Sequence, residues 1–158
     1  MFDDEYTAPT PVEIQAMQSR TIDCSYKVAY AAVIDIFQEL GYIIQNSEFS
    51  TGLIVAKSSI DDYTSGKWTP GKWTDGKWTP GEWTPNAEST MRWRTATAHI
   101  EELSNNQVLI RVSFIAHKQM SNELIKNSES SYAITSAQVY AKFYSKIDNA
   151  IFIRKNLR

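Results

Sequence analysis

The chain has 158 residues, is 42% hydrophobic and 22% charged, carries a net charge of −2 and contains one cysteine. That length holds one domain with a real core, and the near-neutral charge excludes a protein built to neutralise a nucleic-acid backbone. Cys24 stands alone, so no internal disulfide forms, and without a second cysteine or a nearby histidine a zinc site has no ligand set.

Met1 is followed by Asp3, Asp4 and Glu5, where a secretory signal would place basic and then apolar residues. No stretch is long and apolar enough to span a bilayer. Residues 1–17, with Thr7, Pro9, Thr10 and Pro11, read as a flexible tether, and residues 18–154 as a single α+β domain. A brief alternation over residues 20–23 predicts a strand. Ala29, Val33, Ile36, Phe37 and Leu40 then form an apolar stripe at helical spacing, from Ser25 as N-cap to Gly41 as the residue past the C-cap. Residues 42–46 and 52–57 read as the second and third strands, with Leu53 and Val55 sharing a face.

An insertion over residues 60–90 follows. It holds four near-copies of one unit, Gly66-Lys67-Trp68-Thr69-Pro70, Gly71-Lys72-Trp73-Thr74-Asp75, Gly76-Lys77-Trp78-Thr79-Pro80 and Gly81-Glu82-Trp83-Thr84-Pro85, and with them four of the five tryptophans. Asp75-Gly76 is a preferred pair for a two-residue type I′ turn. Folding there sets Thr74 opposite Lys77, Trp73 opposite Trp78 and Trp68 opposite Trp83, in the manner of designed tryptophan-zipper hairpins. Pro70 falls where a ladder donor is needed, so pairing breaks near Pro70-Gly71 and Pro80-Gly81. Without bulges the two Trp pairs face opposite sides; one extra residue per strand brings them to one side. A series of type II turns, or disorder, is the competing reading of the repeats; symmetric copies around a Gly-rich turn favour the hairpin.

Continuing the hairpin register outward places Leu53 opposite Ala98 and Val55 opposite Ala96, with no slip between tip and core. The fourth strand covers about residues 91–102. In the fifth, Val108, Ile110, Val112, Phe114 and Ala116 alternate. Their face matches Ala96, Ala98 and Ile100 only across an odd loop, which Ser104-Asn105-Asn106 supplies with Asn106 left-handed. Residues 118–134 are polar and read as loop, with a short turn around residues 123–125. Tyr140, Phe143, Tyr144, Ile147 and Ile151 mark a second helix packed beside the first, and residues 155–158 a basic tail. The predicted order is strand, helix, four strands, helix: an antiparallel sheet with both helices on one face and a Trp-rich hairpin between the third and fourth strands.

Thr21-Ile22-Asp23 before the helix, Glu39-Leu40-Gly41-Tyr42, Thr51-Gly52-Leu53-Ile54-Val55-Ala56 and the segment from Tyr140 to Ile147 resemble small bacterial envelope lipoprotein domains. The order of elements is similar to the helix-grip modules of BamC-like accessory lipoproteins of the barrel-assembly machine. The resemblance covers residues 18–154 without the repeats and rests on core and turn positions. It implies a periplasmic module held at the outer membrane by a lipidated segment upstream of Met1, because Thr21-Ile22-Asp23-Cys24 is not a lipobox.

Catalytic chemistry is not expected. His99 and His117 read as solvent-facing strand residues, Asp61-Asp62 and Glu101-Glu102 alternate across a strand, and the glycines are interleaved with Trp, unlike a phosphate loop. No cofactor or metal is expected. Binding falls to Trp68, Trp73, Trp78 and Trp83, with Lys67, Lys72 and Lys77 beside them and Asp75-Gly76 as the turn. A protein partner or another copy of the chain is the leading occupant. Glycan or peptidoglycan stacking, a membrane-interface contact and self-zipping without a partner are the other readings.

Overall fold

The computed structural model describes residues 8–121 and 128–156. Its elements are α1 (Pro11–Gln18), β1 (Ser19–Ile22), α2 (Tyr26–Glu39), β2 (Tyr42–Glu48), β3 (Leu53–Ser58), β4 (Asp61–Thr69), β5 (Lys72–Thr74), β6 (Lys77–Thr79), β7 (Glu82–Ser104), β8 (Gln107–Ser121), β9 (Ser128–Ala133) and α3 (Ala137–Asn156). The fold is mixed α+β, and every strand pairing is antiparallel. The main sheet runs β1-β8-β7-β3-β2, with β4 on the outer length of β7 and β9 on the outer length of β8.

The second half of the expected tether is helical. Thr10 caps α1 by accepting from the Glu13 amide, and Pro11 opens it, where a missing N–H costs nothing. In α2 the Ser25 hydroxyl accepts from the Val28 amide, and Gly41 leaves the helix at φ 90°. Ala29, Val33, Ile36 and Phe37 are buried, as their spacing requires. α3 buries Tyr140, Phe143, Tyr144, Ile147 and Ile151. Phe37 and Phe143 lie 5.5 Å apart, and both reach Phe114 of β8, at 6.4 and 5.6 Å, so α2 and α3 share one face of the sheet.

Three strand expectations are corrected. First, the hairpin register slips on its way to the core: Ile54 lies opposite Ala98 and Ala56 opposite Ala96. A one-residue shift exchanges faces, so Ile54 and Ala56 are buried where Leu53 and Val55 were expected. The slip is absorbed between β3 and β4 and at an irregularity between Thr64 and Gly66.

Second, the β7–β8 connection is the two-residue turn Asn105-Asn106, and Asn106 is not left-handed. An irregularity between Glu102 and Ser104 supplies the extra residue, so Ala96, Ala98 and Ile100 still bury with Val108, Ile110, Val112 and Phe114. Third, much of the expected polar loop is sheet. β8 continues to Ser121, and β9 pairs along it from Met120 to Ile115. The short turn expected at residues 123–125 lies outside the described residues. The element order therefore departs from strand, helix, four strands, helix.

β8 changes neighbours halfway, from β1 over Val108–Arg111 to β9 from Ile115 onward. Tyr140 of α3 closes the gap. Its hydroxyl accepts from the Phe114 amide at 3.2 Å and donates to the Ile134 carbonyl at 3.0 Å. The described part of the expected basic tail, Lys155 and Asn156, is helix: Lys155 lies within α3 and donates to the Asp23 carbonyl, while Lys146 and Arg154 pair with Glu39 and Asp35 of α2. Arg158 lies outside the described residues.

Candidate functional site

The tryptophan repeats form a two-stranded ribbon at the far ends of β4 and β7, closed by the β5–β6 tip. Asp75 at φ 52° and Gly76 at φ 76° are the two left-handed residues of a type I′ turn. Thr74 faces Lys77, Trp73 faces Trp78, and Trp68 faces Trp83. The ladder is interrupted where Pro70 and Pro80 fall, since β4 ends at Thr69, β5 begins at Lys72, β6 ends at Thr79 and β7 begins at Glu82.

Ring pairing holds the tip. The Trp73 and Trp78 centroids are 5.6 Å apart with planes inclined at 53°. Glycine does a second job at Gly71 and Gly81. A Cβ added at Gly71 would stand 2.4 Å from Trp78 Cζ2 and 2.9 Å from the Thr79 carbonyl, and one at Gly81 2.6 Å from Trp68 Cζ2 and 2.8 Å from the Thr69 carbonyl. Each of these indoles therefore lies on the opposite strand's backbone at a place only glycine leaves open.

Packing on glycine does not bury the rings. Trp68, Trp73, Trp78 and Trp83 remain 61%, 71%, 54% and 56% exposed. An indole side chain offers on the order of 150–250 Å², so each of these four rings leaves about 100 Å² or more of apolar surface open to water. Lys72 and Lys77 are exposed beside them, with Asp75 and Glu82 as counter-charges. The side chain of Lys67 lies outside the described residues.

A second aromatic group, unread in the sequence, sits on the sheet face away from the helices. The Trp93 ring stacks on His117 with centroids 5.2 Å apart and planes 11° from parallel, and the Lys57 ammonium lies 5.4 Å from the Trp93 ring centre. His117 spends both ring nitrogens on hydroxyls, Nε2 with Thr95 Oγ1 at 2.9 Å and Nδ1 with Ser131 Oγ at 2.8 Å. The signal for this cluster was absent because β9, which brings Ser131, has no apolar alternation. His99 is exposed opposite Leu53 and Arg111, apart from His117.

Cys24 is 2% exposed, and burial raises its thiol pKa, so the nucleophilic thiolate is scarce there. Among the described residues no three His, Cys, Asp or Glu side chains converge to hold a metal ion. No helix among them is long and apolar enough to cross a membrane. Comparison of the chain with protein-family models and with curated proteins finds no match.

Proposed function

We propose that this protein is a non-catalytic binding module of the bacterial cell envelope that captures a protein partner, or another copy of itself, through its tryptophan ribbon. The observation that carries this reading is the exposure of all four indoles, 54% to 71%, on a ribbon whose backbone is already paired and turned. A ribbon that only stabilised itself would gain by covering its rings. Here preorganised backbone and open aromatic faces occur together, the combination that interface anchors use. The non-catalytic part is supported by the hydroxyl partners of both His117 nitrogens and the burial of Cys24.

The envelope assignment, the periplasmic location at the outer membrane and the helix-grip description rest on the resemblance of residues 18–154 to accessory lipoprotein domains. A protein partner is favoured over a glycan because sugar sites set Asn, Asp or Gln beside the aromatic platform, and these repeats offer mainly Thr and Lys.

The test is capture from bacterial envelope extract by the full chain and by a variant with Trp68, Trp73, Trp78 and Trp83 all changed to Ser. A protein retained by the first and lost by the second, with glycan removed from the extract, is the expected result. Single Trp→Ala changes should then have unequal effects. Saturable binding to purified peptidoglycan that the quadruple variant abolishes would replace the protein partner with a sugar polymer.

A further inference from the structure

A cavity of about 610 Å³ opens over β7, β8 and β9 and is bordered by Ser58, Ser59 and Asp61. Strand register shows what lines its floor. Asp61, Arg92, Lys118 and Ser130 stand in one cross-strand row, and Arg94, Ala116 and Tyr132 in the next. Alternation from the buried Ala96 and Phe114 puts Arg92, Arg94, Ala116 and Lys118 on the helix side, and sends Trp93 and His117 to the other.

Arg92 and Lys118 are directly opposite one another, where like charges are unfavourable. Asp61, opposite Arg92 on its other side, offsets one positive charge, and Arg92 has a further contact of its own. Lys118 and Arg94 are left over. Among the described residues neither has an acidic partner within ion-pair distance. Burial raises the Tyr42 phenol pKa, and the Arg94 guanidinium near it draws that pKa part of the way back. Lys118 and Arg94 are diagonal neighbours across Ala116, about 7–8 Å apart at the backbone. The small side chain of Ala116 leaves open the space between them, and Tyr132, 66% exposed, lines the same cavity.

We infer that this cleft binds a phosphate monoester, its phosphoryl oxygens held between Arg94 and Lys118 and its organic part lying against Tyr132. Two cations without an acidic partner among the described residues, both beside the small Ala116, match a dianionic head group, and a guanidinium offers it paired N–H donors. The Tyr132 ring supplies an apolar face for a ring or chain attached to the phosphate. The head group can belong to a free ester or to a lipid.

The experiment titrates the full-length chain with phenyl phosphate and inorganic phosphate by calorimetry, and with phosphatidic acid vesicles by co-sedimentation. Each is repeated with Arg94→Gln, Lys118→Gln and, as a control on the exposed surface of α2, Lys27→Gln. Saturable binding weakened by about tenfold or more in both cleft variants and unchanged in Lys27→Gln is expected. Phenyl phosphate binding identifies a free ester, and binding to vesicles alone a lipid head group. Because Arg94→Gln also removes the Tyr42 contact, its circular dichroism is compared with the parent, and Lys118→Gln decides the matter if that variant is disturbed. No binding in any arm, or binding that survives in both cleft variants or falls equally in Lys27→Gln, overturns the assignment.

Discussion

β7 passes through two environments along one strand. From Ala96 to Ile100 alternate side chains are sealed under α2 and α3; from Glu82 to Thr84 the strand is half of an open ribbon with Trp83 more than half exposed. Backbone pairing is antiparallel in both. What differs is the source of stability. The inner half loses apolar area to water and is held by the Phe37, Phe114 and Phe143 rings, whereas the ribbon depends on cross-strand rings and on indoles laid over Gly71 and Gly81. Hydrogen-bonded sheet is thus no guide to where a chain is held by burial and where its apolar rings stay open to water.

The contrast is broken most severely from the inner side. Phe114→Ala empties the meeting point of both helices and should cost about 3–5 kcal/mol, read as a lowered urea midpoint. The Trp73–Trp78 exciton signal in far-UV circular dichroism should persist in the variant below its own transition. Next is Tyr140→Phe. Removing that hydroxyl leaves the Phe114 amide and Ile134 carbonyl without their shared partner where β8 changes neighbours, at about 1–3 kcal/mol. A change within experimental error would show that these groups find other partners.

pH separates the two regions in another way. Burial raises the pKa of Cys24, Tyr42 and Tyr144. A group whose folded pKa lies above its unfolded value stabilises fully below the unfolded value, and that stability is lost as pH rises toward the folded one. The core should therefore weaken above about pH 8.5, the unfolded range of a thiol, and further above about pH 10, that of a phenol. The ribbon's indoles do not ionise, so the exciton signal should outlast the first loss of core stability.

The sequence carried α2, α3 and the hairpin tip well, for a shared reason: each is specified by residues close together along the chain. Ser25, the apolar stripe of α2 and Gly41 define one helix, and Asp75-Gly76 with its flanking copies defines one turn. What could not be read depended on distant parts. The register slip at Ile54 is set by which face the helices cover, and the parity of the β7–β8 turn was restored by an irregularity at Leu103 rather than by a longer loop. β9, Ser128–Ala133, lacks alternation because its residues are exposed, and with it went the pairing of His117 with Ser131. The tryptophans of the candidate site were visible at once. The cleft at Arg94 and Lys118 was not, since only cross-strand register brings those two cations to either side of Ala116.

A smaller effect is expected from Trp73→Ala. It removes one ring of the tip pair, which contributes about 0.5–1.5 kcal/mol beyond area burial, and the hairpin alone should feel it. The exciton couplet should vanish and amide exchange over residues 72–79 should quicken, while the urea midpoint of the core stays put. A couplet that survived would mean that Trp73 and Trp78 are not the coupled rings.

The smallest effect on the core should come from the largest change. Replacing residues 66–85 by an Asn-Gly turn removes the repeats but keeps Asp61–Thr64 paired with Ser89–Arg92, the part of the β4–β7 ladder next to the core. Among the described side chains, none of the buried core lies in the removed segment. Unfolding should remain one cooperative transition, with a midpoint close to that of the parent, because the excised rings contribute their energy to one another and to the opposite strand's glycines. Loop closure changes little, since the ends were already brought together by the retained ladder. If the shortened chain instead lost near-UV circular dichroism and exposed apolar surface to dye, the ribbon would have to be counted as part of the folding unit, and its open indoles as the cost of holding the core together rather than as a surface kept for a partner.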